Sequence, residues 1–102
     1  MAVVAASGDL DMLTAPQLRD AVEAALSKKP EGLIVDLTKV EFLGSAGMQV
    51  LMEAHNQTDG TDTRFAVVAE GPATSRPLKI TGIADLIDLF SSLDVALDNF
   101  AA

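Results

Sequence analysis

A serine flanked by glycines is the feature of this sequence with the clearest chemical potential. Gly44, Ser45 and Gly47 follow an apolar stretch and open a segment whose apolar residues recur at helical spacing. Both glycines allow another backbone to approach closely, and Gly44 is free to adopt a positive φ. Free N–H groups and partial positive charge at a helix N-terminus suit a phosphate on the Ser45 hydroxyl. Serine is also a favoured helix N-cap, and local chemistry alone favours that structural role for Ser45.

Two aspartates form the second candidate cluster. Asp9 and Asp11 lie on a loop that would be near Ser45 if both occupy the same end of a sheet. Paired carboxylates are typical of acid–base or Mg²⁺ chemistry, but turn formation and a favourable charge near a helix start are the stronger interpretation. Asp36, at the end of a strand, resembles the phosphoacceptor of response regulators. We reject that interpretation because no suitable lysine follows the later strand at Phe65.

Composition excludes several function classes. The 102-residue chain has no cysteine and one histidine, His55, so it offers no thiolate metal site, multi-histidine metal site or Ser-His-Asp triad. No dinucleotide or P-loop glycine spacing occurs, and we expect no cofactor. A net charge of −8 disfavours nucleic acid and anionic membrane partners, leaving proteins. No apolar run approaches the ~20 residues needed to cross a bilayer. Without a signal peptide or cysteines, a cytoplasmic location is expected.

Apolar runs and helical stretches alternate along the chain, which predicts one α/β domain of β-α-β-α-β-α-β-α order with a mainly parallel sheet packed by helices. The lysines before Pro30 end the first helix, and Gly82 ends the third. We predict strands at 3–6, 33–37, 65–69 and 87–90, and helices from Thr14, from about Ser45 to Gln57, from Thr74 to Thr81, and from Ser91 to Phe100. The turn Ser7-Gly8-Asp9 closes the first strand, and 38–44 is predicted as a loop with a short extended piece at Glu41-Phe42-Leu43. A capping box of Ser91 and Asp94 is expected to open the last helix.

The segment from Asp36 to Met48 resembles the signature of the STAS domain in bacterial anti-sigma factor antagonists, roughly D-L-S-x-V-x-F-x-D-S-S-G-L. Further matches are Gly8-Asp9-Leu10-Asp11 before the first helix, the Thr81-Gly82-Ile83 step and the final Ser-Leu-Asp-x-Ala-Leu stretch. The residues in register with the signature are Asp36, Leu37, Val40, Phe42, Ser45, Gly47 and Met48. The resemblance covers nearly the whole chain and implies a single STAS domain over residues 1–102.

The resemblance also implies a function. In that family the serine matching Ser45 is phosphorylated by an anti-sigma factor that is itself a Ser/Thr kinase using Mg-ATP. The unphosphorylated antagonist binds this kinase and so frees a sigma factor, and a PP2C-type phosphatase restores the bound state. The chain is then a substrate and not an enzyme. The resemblance places Ser45 at a partner surface, together with Gly44, Ala46, Gly47, Met48, Asp9 and Asp11.

Three departures from the family pattern bear on this hypothesis. Gly44 replaces the usual Asp, and Ala46 replaces a second Ser, which leaves Ser45 as the only hydroxyl in the motif. Family members usually carry a further strand before the one at Val3, so either the domain is minimal or the start codon is misassigned. A missing strand would leave a sheet edge open for pairing with a partner. The alternatives are a STAS subunit that docks on the ATPase of an ABC transporter without using the Ser45 hydroxyl, and a small enzyme or nucleotide-binding domain.

Overall fold

The computed structural model describes residues 1–101 and shows alternating strands and helices. The elements are β1 (Ala2–Leu10), α1 (Ala15–Leu26), β2 (Gly32–Leu43), α2 (Ser45–Thr58), β3 (Arg64–Val68), α3 (Ser75–Ile80), a 3₁₀ turn (Ile83–Asp85), β4 (Asp88–Phe90) and α4 (Leu93–Ala101). This order confirms the predicted α/β class. None of the helices in this part of the chain is long and apolar enough to cross a membrane.

The four strands form one parallel sheet in the order β1-β2-β3-β4. Neighbouring parallel strands need a crossover connection, and α1, α2 and α3 lie in the three connections of this sheet. All four carboxyl ends therefore lie at the same edge of the sheet. Within residues 1–101, β1 pairs on one side only and so lies at an edge of the sheet.

Helices cover both faces of the central strands. Alternate residues of β2 and β3 point to opposite sides, so Leu33 and Val35 pack with α1, α2 and α3, whereas Ile34 packs with α4. The run Leu33–Val35 is fully buried because both faces of β2 are covered, which explains its continuous apolar sequence. α4 is further held by Arg64, whose guanidinium carbon lies 4.3 Å from the centroid of the Phe100 ring.

The first two strands are longer than predicted. The segment Ser7-Gly8-Asp9 belongs to β1, so the predicted turn is wrong. Residues 38–43 belong to β2, so the extended piece predicted at 41–43 is confirmed and the loop predicted before it is wrong. Register shifts between Ala5 and Ser7 and between Gly8 and Asp9 explain the error. Each shift adds an unpaired residue to β2, so its inward-facing residues are Leu37, Val40 and Leu43, three apart instead of two. Gly8 itself has φ +73°, which glycine adopts readily.

Beyond Asp36, β2 pairs only with β1, because the last β2–β3 pair is Asp36 with Val68. Residues 6–10 and 37–43 thus form a two-stranded extension of the sheet, which we call the β1–β2 ribbon. The Asp36 carboxylate accepts a hydrogen bond of 3.0 Å from the Thr38 N–H at the first irregularity. The structure thereby gives Asp36 a local structural role at the base of the ribbon.

Helix ends match the sequence pattern with two corrections. Thr14 and Thr74 occupy the N-cap positions of α1 and α3, but neither makes a side-chain capping hydrogen bond. α4 begins one residue later than the predicted capping box allows. Its cap is Ser92, whose Oγ accepts a hydrogen bond of 3.2 Å from the Val95 N–H, so the prediction of Ser91 is wrong.

Candidate functional site

Ser45 is exposed and is the first residue of the 14-residue helix α2. The N-cap is Gly44, whose carbonyl oxygen accepts a hydrogen bond of 3.1 Å from the Met48 N–H. No side-chain capping hydrogen bond is found at this helix start. The helix-cap interpretation of Ser45 is therefore wrong, and this exposed residue lies beside the free N–H groups of the first helical turn.

A side chain in place of Gly44 would be crowded by its neighbours, although the backbone conformation there does not call for glycine. Its φ of −85° and ψ of 177° are ordinary extended values, so the expected positive φ is not used. A side-chain carbon at this position would lie 3.0 Å from Cε2 of Phe42 and 3.2 Å from the carbonyl oxygen of Leu10. The same Leu10 oxygen accepts a hydrogen bond of 2.9 Å from the Gly44 N–H. This bond ties the end of β1 to the start of α2.

Gly47 lies inside the molecule. A methyl carbon there would approach Cδ1 of Leu43 to 2.8 Å and Cβ of Leu10 to 2.9 Å, both closer than ordinary contact. Because Gly47 is buried, the structure assigns it to packing of α2 against the β1–β2 ribbon. Of the residues that the resemblance places at a partner surface, Gly47 is the one whose position does not face solvent.

The loop after β1 is held by its own hydrogen bonds. One carboxylate oxygen of Asp11 accepts bonds from the N–H groups of Leu13 at 2.9 Å and Thr14 at 3.1 Å. The Thr14 hydroxyl donates to the Asp9 carbonyl at 2.6 Å and accepts from the Asp11 N–H at 2.9 Å. The N–H donors of Leu13 and Thr14 lower the pKa of Asp11 below its ordinary value of 3.8. The turn-forming interpretation of Asp11 is confirmed.

The loop and the serine are neighbours, as expected for elements at one edge of the sheet. Asp9 pairs with Phe42 across the ribbon, and Leu10 pairs with Leu43 immediately before α2. Met48 is half-buried one turn along the helix, where its sulfur lies 3.9 Å from the Thr81 hydroxyl oxygen. Ala46 is half-buried and packs against the main core. Apart from Gly47, the predicted site residues thus lie around Ser45 at or near the surface.

Three large apolar residues at this edge are exposed, which the sequence does not indicate. Met12 is 81% exposed and Leu13 is 83% exposed in the β1–α1 loop, and Phe42 is 53% exposed on the ribbon. Their sequence signal was weak because isolated apolar residues next to turns are common and do not break any periodic pattern.

The described part of the chain shows no group of three or more side chains arranged to hold a metal ion. His55 is half-buried and lines a cleft of about 290 Å³ with Asp59 and Asp88. At a rise of about 1.5 Å per residue, His55 lies roughly 15 Å along α2 from Ser45. The structure does not bring Ser45 and His55 together, so these two residues do not form a nucleophile–base pair.

Comparison with known proteins gives consistent matches over most of the chain. The family model for the STAS domain matches residues 1–96. The chain is 38% identical over 97 residues to the anti-sigma-F factor antagonist RsfB of Mycobacterium tuberculosis, covering 95% of this chain and 79% of RsfB. It is 28% identical over 83 residues to the anti-sigma-B factor antagonist of Listeria monocytogenes, covering 81% of this chain and 73% of that protein. A crystal structure of an anti-sigma factor antagonist from Mycobacterium paratuberculosis superposes with a TM-score of 0.92 at 41% identity, covering 98% of this chain and 85% of that one.

Proposed function

The chain belongs to the STAS domain family, and from that membership we propose that it is an anti-sigma factor antagonist. It binds an anti-sigma factor and so releases the sigma factor that the anti-sigma factor would otherwise hold. The proposal is supported by the similarity to RsfB and to the Mycobacterium paratuberculosis antagonist, at 38% and 41% identity over nearly the whole chain. Those relatives are named as regulatory proteins, and we propose the same kind of role here.

The proposed switch is phosphorylation of Ser45 by an anti-sigma factor that is a Ser/Thr kinase. The observation that carries this step is that Ser45, the first residue of α2, is exposed and makes no capping hydrogen bond. A kinase can reach such a hydroxyl without unfolding the helix. Once formed, a phosphate would face the free N–H groups of the first turn and the positive end of the helix dipole, so α2 tolerates the modification.

Phosphorylation would weaken binding through charge and bulk. A phosphoserine carries about −1.5 to −2 charges at neutral pH. It would stand on a surface that already bears the exposed Asp9 and the ionised Asp11. A partner surface that fits a small neutral hydroxyl group would have to desolvate this dianion or lose its contacts around Ser45. A loss of ~3 kcal/mol lowers the affinity by more than a hundredfold. A PP2C-type phosphatase would restore the binding form.

Intact-mass spectrometry tests the switch. Wild type, Ser45→Ala and Ser91→Ala are each incubated with the kinase-type anti-sigma factors of the source organism and Mg-ATP. Ser91 is the matched control because it is also exposed and follows β4 at the same edge of the sheet. We expect one added phosphate on wild type and on Ser91→Ala, and none on Ser45→Ala. A phosphate that persists in Ser45→Ala, or none on wild type with any kinase, would refute the assignment of Ser45.

A further inference from the structure

The β1–α1 loop presents two neighbouring large apolar side chains to solvent. The fold does not depend on either of them. Met12 and Leu13 are 81% and 83% exposed, so neither contributes burial that would stabilise the domain. Exposed apolar groups that recur at one place on a small domain are typical of a protein contact surface. The exposed Phe42 ring adds to the same region.

The main-chain geometry holds these side chains close to Ser45. The Leu10 carbonyl and the Gly44 N–H are joined by a hydrogen bond of 2.9 Å. Met12 follows Leu10 by two residues, and Phe42 precedes Gly44 by two residues. The Phe42 ring also lies against the Gly44 backbone, within 3.0 Å of the position that a Cβ would take. The loop residues, the ring and the serine therefore surround a single bonded junction at the tip of the β1–β2 ribbon.

The loop is pre-organised in this arrangement. Asp11 accepts hydrogen bonds from the N–H groups of Leu13 and Thr14, and the Thr14 hydroxyl bridges to Asp9 and Asp11. Binding through such a loop loses little conformational entropy, because the backbone is already fixed before the partner arrives. Exposed apolar side chains on a backbone fixed in this way are suited to enter an apolar groove of a partner.

We propose that Met12, Leu13 and Phe42 form the apolar anchor by which this chain docks on its anti-sigma factor, in a groove with an apolar floor and a basic rim. The basic rim follows from charge complementarity, since Asp11 precedes Met12, Glu41 precedes Phe42, Asp9 pairs with Phe42 and the whole chain carries −8. The nearest basic residue along the ribbon is Lys39, which lies further back, opposite Ser7. This inference rests on the proposed function and adds the residues that make the contact.

The anchor also explains how a phosphate on Ser45 would act. A hydrated dianion beside Met12 and Phe42 opposes the burial of apolar side chains, because its own desolvation is costly. The basic rim alone would attract the phosphate. The apolar anchor therefore makes the phosphate unfavourable despite that attraction.

Methionine-methyl NMR tests the inference with controls built into the sequence. The chain has four methionines, and three of them report on different places. Met12 is in the proposed anchor, Met48 lies one turn behind Ser45, and Met1 precedes β1 at the amino-terminal edge of the sheet. The chain is labelled with ¹³C at the methionine methyl groups and titrated with the unlabelled anti-sigma factor of the source organism that binds wild type most tightly. We expect the Met12 and Met48 signals to shift or broaden on binding while Met1 stays unchanged.

The outcomes separate this inference from the proposed function. A Met48 signal that responds while Met12 does not would overturn the anchor and leave the antagonist function standing. No binding by wild type to any anti-sigma factor would overturn both. A double variant, Met12→Ser with Leu13→Ser, should bind at least tenfold more weakly by calorimetry, which is about 1.4 kcal/mol. The control Val95→Ser removes an exposed apolar side chain from α4 and should bind like wild type. Equal affinity of the double variant and the control would also overturn the anchor.

Discussion

Replacing Gly47 by alanine tests how α2 is seated against the β1–β2 ribbon. Alanine is favoured over glycine in a helix by about 1 kcal/mol, so a free helix would gain stability from this change. In the folded chain the new methyl carbon would lie 2.8 Å from Leu43 Cδ1 and 2.9 Å from Leu10 Cβ. The Leu43 methyl can rotate away, but Leu10 Cβ moves only with its backbone, which the Gly44 N–H holds at 2.9 Å. Overpacking of this kind costs about 1–3 kcal/mol, and the fixed neighbour favours the upper half of that range.

The overpacking therefore outweighs the helix gain, and we expect Gly47→Ala to lose about 1–2 kcal/mol net. For a domain of this size the loss lowers the Tm by roughly 5–15 °C. Thermal unfolding followed by circular dichroism measures it. The matched control is Asn56→Ala, which adds alanine at an exposed position of the same helix and should leave the Tm equal or slightly higher. A Gly47→Ala variant as stable as wild type would show that α2 and the ribbon are not packed as described.

Three further predictions concern single interactions. Asp11→Asn should lower the Tm at neutral pH, because the carboxylate that accepts the Leu13 N–H is lost. The pKa of Asp11 is lowered in the folded state. The stability that its carboxylate gives to the folded chain is therefore present above about pH 4 and is lost as the pH falls through the folded pKa. Thermal scans at about pH 7 and about pH 3 should therefore show the difference from wild type shrinking with acid. Gly82→Ala should cost about 1–2 kcal/mol in chemical unfolding because Gly82 has φ +82°, and an unchanged midpoint would contradict the left-handed conformation. A double-mutant cycle on Arg19 and Glu53, paired at 2.9 Å with side chains 36% and 41% exposed, should give a coupling of at most about 1 kcal/mol. A much larger coupling energy would mean that the Arg19–Glu53 pair is shielded from water, in contrast to the exposure described here.

Most of the fold could be predicted from the sequence because its periodic signals are strong. The apolar run Leu33–Leu37 and the helical spacing of Leu18 and Val22 correspond to buried faces in the structure. Sequence signals for turns and helix ends also predict the structure correctly where the backbone conformation restricts the residue type, as at Gly82. These features depend on local chemistry, which a single sequence carries.

The β1–β2 ribbon could not be predicted because two register shifts break the two-residue period of a strand. Val40 and Leu43 point inwards at a spacing of three, a pattern that resembles neither a regular strand nor a helix. The same limit affected the site. Nothing local distinguishes Ser45 as first helical residue from Ser45 as N-cap, because the difference depends on where β2 ends. The burial of Gly47 depends on Leu10, far away in the sequence.

The role as antagonist is tested most directly by release of a sigma factor. A purified complex of the sigma factor with its anti-sigma factor is mixed with the unmodified chain, with the chain phosphorylated on Ser45, or with Ser45→Ala. Free sigma factor is then measured by size-exclusion chromatography. We predict that the unmodified chain and Ser45→Ala both release the sigma factor, and that the phosphorylated chain releases little. Release by Ser45→Ala should persist in the presence of ATP. A sigma factor that stays bound in the presence of excess unmodified chain, for every anti-sigma factor of the source organism, would contradict the proposed function.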